Sequence, residues 1–276
     1  MIFTLFGYND VPTRNTTSLL EPITSVVILM AVGLAAGTLG SMLGVGGGLI
    51  MVPALTFLNV PPTQASSTSL IAVTSTSISS TIEYSRQKRI DYRLSLEMAV
   101  CAIPGGVLGA ILSDYLPEES FKMYFGILLI LTGVYILYRN LILTQDVVKK
   151  RPVALRALVF VAAFCAGVIS SLFGVGGGII FVPAMVIMLG STMHRAAATS
   201  QLTLLMTSIS GVFTHSFLGH PDYLQAVALS AGAFVGAQIG ARISRMAKEM
   251  LLQRLLGLML VAVAITFILD SLISGK

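Results

Sequence analysis

The stretch Leu43-Gly44-Val45-Gly46-Gly47-Gly48-Leu49-Ile50-Met51-Val52-Pro53-Ala54 is written a second time, 130 residues further on, as Phe173-Gly174-Val175-Gly176-Gly177-Gly178-Ile179-Ile180-Phe181-Val182-Pro183-Ala184. Both copies lie in apolar surroundings, where each of three successive glycines costs an ordinary helix interior about 1 kcal/mol relative to alanine. A chain that keeps such a stretch twice is a duplicated chain. Neither copy suits the middle of a plain helix.

The apolar surroundings set the class. The chain is 55% hydrophobic and 11% charged, with a mean hydropathy of +0.89, whereas a soluble domain carries about one charged residue in four. A spanning helix needs about 20 mostly apolar residues, and such runs follow one another almost end to end. They are continuously apolar rather than alternating, which argues against a membrane β-barrel. An all-α polytopic membrane protein is expected.

Charges, prolines and polar clusters divide the first half into segments near 23–43, 48–59, 66–85, 94–113 and 121–143, and the second into segments near 154–173, 178–190, 197–218, 223–241 and 251–273. The corresponding organisation is a polar tail over 1–22, a first repeat over 23–143, a cytoplasmic linker over 144–152 and a second repeat over 153–276. The second segment of each half is too short to span alone. With one residue inserted after Pro183 the two halves stay in one register over some sixty positions: Thr68-Ser69 meets Thr199-Ser200, Gly105 and Gly109 meet Gly236 and Gly240, and Glu83-Tyr84 meets Thr214-His215.

Loop charges orient the halves. Arg86, Lys88, Arg89 and Arg93 join the third and fourth segments of the first half, and its next loop carries Asp114, Glu118 and Glu119; in the second half the pattern reverses, with no lysine or arginine from His215 to Asp222 and then Arg242, Arg245, Lys248 and Arg254. By the positive-inside rule, equivalent loops face opposite sides of the membrane. Five crossings per half produce this inversion. A rival arrangement, four spans per half with a re-entrant glycine segment, makes the repeats parallel and places the loop around Arg245 outside. The net charge of +5 is read as topology rather than as a sign of an acidic partner.

Inverted repeats with broken helices are a transporter architecture, in which half-helix N-termini near the midplane point at an anion. Gly46, Gly47, Gly48 and Gly176, Gly177, Gly178 can take backbone angles closed to other residues, so the chain can break there and restart as a short helix whose opening N–H groups attract an anion. Beside them Ser67, Thr68 and Ser69, with Thr199, Ser200 and Gln201, can donate hydrogen bonds to a dehydrated oxyanion, or cap their own helices. Gly105, Gly109, Gly236 and Gly240 read as sites of close helix packing. Glu83 and His215 are the candidates for carrying a coupling proton. Neither a metal-ligand motif, nor a nucleophile with a base, nor a phosphate loop is present, so no metal, cofactor, nucleic-acid partner or enzymatic activity is expected. Oligomeric state has no signature in the sequence.

These residues carry a resemblance. The duplicated G-x-G-G-G-x-x-x-x-P element, Gly44 to Pro53 and Gly174 to Pro183, with its Ala/Ser/Thr-rich continuation at 65–70 and 196–201, resembles the sulfite exporter TauE/SafE family of membrane permeases, also called TSUP or DUF81. The resemblance implies a multi-pass protein of the bacterial inner membrane that moves sulfur-containing anions such as sulfite, thiosulfate or organosulfonates. Two other readings stay open beside it: a scaffold whose glycines only permit tight packing, and a sulfur-handling protein that uses Cys101 or Cys165 as a thiol.

Overall fold

The computed structural model describes residues 17–58, 60–115 and 153–248, together with parts of 123–134 and 250–265, and these residues form helices joined by short turns. In chain order the helices are α1 (Thr17–Leu43), α2 (Gly48–Phe57), α3 (Pro62–Arg86), α4 (Tyr92–Leu112, extended by a turn of 3₁₀ helix over Ser113–Tyr115), α5 (Val153–Phe173), α6 (Gly178–Met188), α7 (Met193–Phe217) and α8 (Tyr223–Met246). The expected segments 121–143 and 251–273 and the linker lie wholly or partly outside the described residues. Helix α1 opens inside the expected polar tail, its apolar part running from Ser25 to Leu43.

The breaks fall where the glycines are. Helix α1 stops at Leu43 and α2 starts at Gly48; α5 stops at Phe173 and α6 starts at Gly178. Between them Gly44, Gly46 and Gly47, and Gly174 and Gly176, take left-handed φ values of 67° to 92°, which a Cβ would oppose. Other boundaries follow ordinary signals. Pro62 occupies the first position of α3, where its missing N–H costs nothing, and starts that helix four residues before the expected 66. Asp91 and Asp222 cap α4 and α8 by accepting hydrogen bonds from Leu94 N–H at 3.1 Å and Leu224 N–H at 3.0 Å, and Thr192 caps α7 in the same way.

Helix directions follow from which ends touch. Asp222 N–H, at the start of α8, donates to Thr68 near the start of α3, while Gln87, past the end of α3, donates to the Ala241 carbonyl near the end of α8; α3 and α8 are therefore parallel. Gly236 and Gly240 of α8 lie against the Leu34 and Thr38 carbonyls of α1, an equal step of four on both helices, so α1 shares that direction. Gly105 and Gly109 of α4 lie in the same way against the Phe164 and Val168 carbonyls of α5. Asp91 N–H, at the start of α4, donates to Thr199 near the start of α7, and Asp114 beyond the end of α4 meets His220 beyond the end of α7.

The long helices thus form two sets, α1, α3 and α8 running one way and α4, α5 and α7 the other. Each set contains one member of every equivalent pair, so the repeats are inverted. They are also interlocked: the first helix of each half packs on the fourth helix of the other, α1 on α8 and α5 on α4. The four small residues Gly105, Gly109, Gly236 and Gly240 permit this by letting backbones touch. Arg86, Lys88, Arg89, Arg93, Arg195, Arg242 and Arg245 gather at one end of the bundle, on the ends of α3 and α8, the starts of α4 and α7 and the turn between α3 and α4.

Among the described residues, four helices are long and apolar enough to cross a bilayer: Ser25–Leu43, Tyr92–Tyr115, Met193–Phe217 and Tyr223–Met246. Their outward faces carry exposed apolar side chains such as Val100, Val107, Val227 and Val235, as a lipid-facing surface requires. Helix α3 has the length but is rich in serine and threonine. It occupies the centre instead, and Ser75 and Ser79 donate to the Ser230 and Phe234 carbonyls of α8.

Candidate functional site

The two glycine motifs meet. A Cβ added at Gly48 would collide with the Gly174 carbonyl and lie 2.7 Å from Val175 Cα, and one added at Gly178 would collide with the Gly44 carbonyl and lie 2.6 Å from Val45 Cα. Each short helix therefore starts against the backbone of the opposite break. A Cβ at Gly46 would stand 3.0 Å from Val73 and 3.2 Å from Leu204, and one at Gly176 would stand 3.2 Å from both. Val73 and Leu204 are each the twelfth residue of a 25-residue helix. The breaks consequently lie at mid-depth of α3 and α7, closed off by a pair of apolar side chains.

Hydroxyls lock this crossing reciprocally. Ser69 Oγ donates to the Gly174 carbonyl at 2.7 Å, and Ser200 Oγ donates to the Gly44 carbonyl at 2.7 Å. Each hydroxyl has a single proton, which it shares with a carbonyl three residues back on its own helix, at 2.9 Å in both cases. Interhelical hydrogen bonds of this kind in membranes contribute about 0.6 kcal/mol each. The double variant Ser69→Ala/Ser200→Ala is accordingly expected to lose about 1 kcal/mol of stability, measured as a small drop in the thermal unfolding midpoint in detergent micelles. An unchanged midpoint would show that the hydroxyls lock nothing.

The remaining candidate residues are placed differently. Thr68 and Thr199 turn away from the glycines and accept from the N–H of Asp222 and Asp91, so they tie down the starts of α8 and α4 rather than cap their own helices. Ser67 is buried and donates to Gln64 of its own helix. Gln201, fully buried, joins three segments: its amide donates to the Gly40 carbonyl at 3.1 Å, and its oxygen accepts from Ser77 at 3.2 Å and Ser80 at 3.0 Å. Gly47 and Gly177 directly precede the short helices as their N-terminal caps.

Glu83 and His215 stand at opposite ends of the bundle. The Glu83 carboxylate lies 3.6 Å from Arg242 and accepts from Gln87. In the register of the repeats, His215 corresponds to Tyr84. Tyr84 donates to the Ser41 carbonyl at 2.8 Å, and His215 Nε2 meets the equivalent Ser171 carbonyl at 3.0 Å. Both side chains thus hold the last turn of the helix that precedes a glycine break. Arg89, missed as an organising residue by sequence reasoning, lies over the Tyr84 ring at 5.0 Å and donates to the His194 carbonyl at 3.0 Å, pinning the start of α7; burial lowers its pKa from the usual arginine value. Cys101 and Cys165 are free thiols on α4 and α5.

Arranged in this way, the centre presents two helix N-termini, the Ser69 and Ser200 hydroxyls and, among the described residues, no buried cation. Comparisons with known proteins point the same way. A family model described as "Sulfite exporter TauE/SafE" matches residues 29–267. Probable membrane transporter protein YunE of Bacillus subtilis is 35% identical over 234 residues, covering 77% of this chain and 86% of that protein. A probable membrane transporter protein of Methanocaldococcus jannaschii is 28% identical over 72% of this chain and 76% of its own length, and YfcA of Escherichia coli, also a probable membrane transporter protein, is 26% identical over 81% and 82%. With the match spanning both glycine breaks and the helices that carry them, the chain belongs to the sulfite exporter TauE/SafE family of multi-pass membrane transporters.

Proposed function

We propose that this permease carries small sulfur-containing anions, sulfite, thiosulfate or organosulfonates, through the crossing of its two glycine breaks. The observation that carries the reading is the pair of short helices that start side by side at mid-depth of an inverted repeat. The N–H groups of Gly48 and Leu49, and of Gly178 and Ile179, open those helices and have no intrahelical partner by geometry. Helix dipoles add positive potential at the same points. Gly46 and Gly176 keep the approach free of Cβ atoms, and Ser69 and Ser200 supply hydroxyls that exchange the Gly174 and Gly44 carbonyls for substrate oxygens. The sulfur chemistry follows the description of the family model.

In the closed arrangement Val73 and Leu204 seal the crossing, and the anion enters when the two breaks part. Neutral donors suit a carrier, because they hold an anion less tightly than a buried charge pair and so release it. The positive-inside rule assigns the arginine-rich end to the cytoplasm of a bacterial cell and the Asp114–Asp222 end to the outside. Outward movement of an anion is then favoured by about 2.3 kcal/mol per charge per 100 mV of negative-inside potential.

Flux of labelled sulfite, thiosulfate and methanesulfonate in proteoliposomes tests the proposal. Saturable flux, with mutual competition among the anions, is the expected result. The rival reading, a scaffold whose glycines only pack, draws on the same dry contacts at Gly48 and Gly178. Absence of protein-dependent flux for every sulfur anion, from protein that unfolds cooperatively, would decide for the scaffold.

A further inference from the structure

The two halves are chemically unequal at one pair of equivalent positions, and a chain of polar groups begins there. His215 is fully buried, and its Nε2 meets the Ser171 carbonyl at 3.0 Å. Its Nδ1 lies 2.9 Å from Nδ1 of His220, whose Nε2 lies 2.8 Å from Asp114 Oδ1. The Asp114 side chain is 41% exposed and that of His220 is 14% exposed. The chain therefore runs from the surface opposite the arginines to the last turn of α5, two residues before Phe173 and the second glycine break. The Ser170 and Ser171 hydroxyls at its inner end are buried and have no hydrogen-bond partner among the described residues.

Proton positions follow from the acceptors. A backbone carbonyl only accepts, so His215 Nε2 must carry hydrogen. A carboxylate only accepts, so His220 Nε2 must carry hydrogen as well. The short Nδ1 to Nδ1 contact needs one proton between two lone pairs. The two rings and the carboxylate together hold three protons, one more than two neutral imidazoles and an ionised Asp114 would carry. Without that third proton two lone pairs face each other, and the rings must part.

From this geometry we propose that Asp114, His220 and His215 form a proton-loading site on the non-arginine face, which ties the binding of one proton to the position of α5 at its glycine break. The proton passes from water to His220 beside Asp114 and is shared across the Nδ1 contact with His215, which keeps its hold on the Ser171 carbonyl. No bond other than N–H and O–H forms or breaks, and no electron moves. Loss of the proton separates His220 from His215, so that the turn after α7, with Asp114, is no longer tied through His215 to the last turn of α5. The matching position in the first half, Tyr84, holds the Ser41 carbonyl with a hydroxyl that does not change charge in the range where histidine does.

Among the described residues, the titratable groups facing His215 are His220 and Asp114. Helix α5 presents the Ser170 and Ser171 hydroxyls, with Cys165 about two turns earlier. Asp222, at the start of α8, is occupied by the N–H groups of Leu224 and Gln225, and Tyr115 beyond α4 is exposed. The near end of α3, from Pro62 to Leu70, and the whole of α6 contain no titratable residue.

The chain has three histidines, so ¹⁵N-histidine NMR of the full-length protein in bilayers, with a His194→Asn variant for assignment, reads the site directly. His215 and His220 should change together in one step that releases a single proton. Asp114→Asn removes the anion that favours the charged ring, so that step should move to lower pH by about one unit. Separate, independent titration of the two rings, or a step unmoved by Asp114→Asn, would overturn the proposal. His215→Tyr copies the first half and keeps a donor to the Ser171 carbonyl; in that variant His220 should titrate alone, and sulfite flux should lose its response to an imposed pH gradient. Flux that keeps the wild-type response would sink the coupling. The flux arm rests on the permease reading, whereas the NMR arm does not: protein that moves no sulfur anion would overturn that reading and leave the proton site to be decided by its titration.

Discussion

Gly48→Ala is expected to abolish folding or to destabilise the protein by about 3 kcal/mol or more, at the upper end of overpacking costs. Local physics predicts the opposite sign. Gly48 is the first residue of α2 and is absent from the positive-φ residues, so alanine should improve the helix by up to about 1 kcal/mol. The tertiary term wins because the new methyl would occupy the space of the Gly174 carbonyl and lie 2.7 Å from Val175 Cα. Both obstacles are backbone, with no side chain to rotate aside. Gly178→Ala should behave alike, against the Gly44 carbonyl and Val45. Gly219→Ala is the control: its φ is +74° with no atom within 4 Å of the added Cβ, so only the left-handed strain of about 1–2 kcal/mol applies. Thermal unfolding in micelles ranks the three, and a Gly48→Ala protein at or above the wild-type midpoint would mean that the breaks do not touch.

Gln201→Leu is expected to cost about 2 kcal/mol, from three interhelical hydrogen bonds at about 0.6 kcal/mol each. The equivalent residue in the first half is Leu70, so a leucine fits the fold at that station and volume alone does not forbid it. Chemistry does. Leu70 lies beside Gly211, whereas Gln201 faces Ser80, which occupies the equivalent of Gly211. Leucine at 201 would leave the Gly40 carbonyl without its amide donor just ahead of the first break. Gln201→Glu keeps the shape and the acceptor, and when neutral also the donor; its loss should therefore be smaller at acidic than at neutral pH. Equal stability of Gln201→Leu and wild type in chemical denaturation would remove Gln201 from the account.

Much of this was legible from residues alone. The glycine breaks, the short restarting helices and the opposite orientation of the halves followed from a repeated motif and from which loops hold arginine. The helix ends confirm that inversion without any reference to charge, since α3 and α7 run in opposite directions. The pairing of α1 with α8 and of α4 with α5 was not legible. In a bilayer the lipid face of a helix is as apolar as the packed face, so periodicity carries little information about partners. Helix α3 starts at Pro62 rather than near 66, because Pro61-Pro62 marks the first turn and the hydroxyl cluster lies a full turn inside the helix. The targets of the hydroxyls could not be read either. Ser69 and Ser200 look like neighbours of Thr68 and Thr199, but one helical step of about 100° sends each pair to different sides.

The exchange of partners between halves has a consequence for how the protein is made. Helix α1 leaves the ribosome about 200 residues ahead of α8, the helix against which its glycine-lined seam is built. During that interval it has only lipid, or an insertion factor, to cover the surface meant for α8. The first half cannot be a finished unit that waits for the second. The first glycine break waits for the second, which is made 130 residues later, and the seam of α1 closes later still, when α8 arrives.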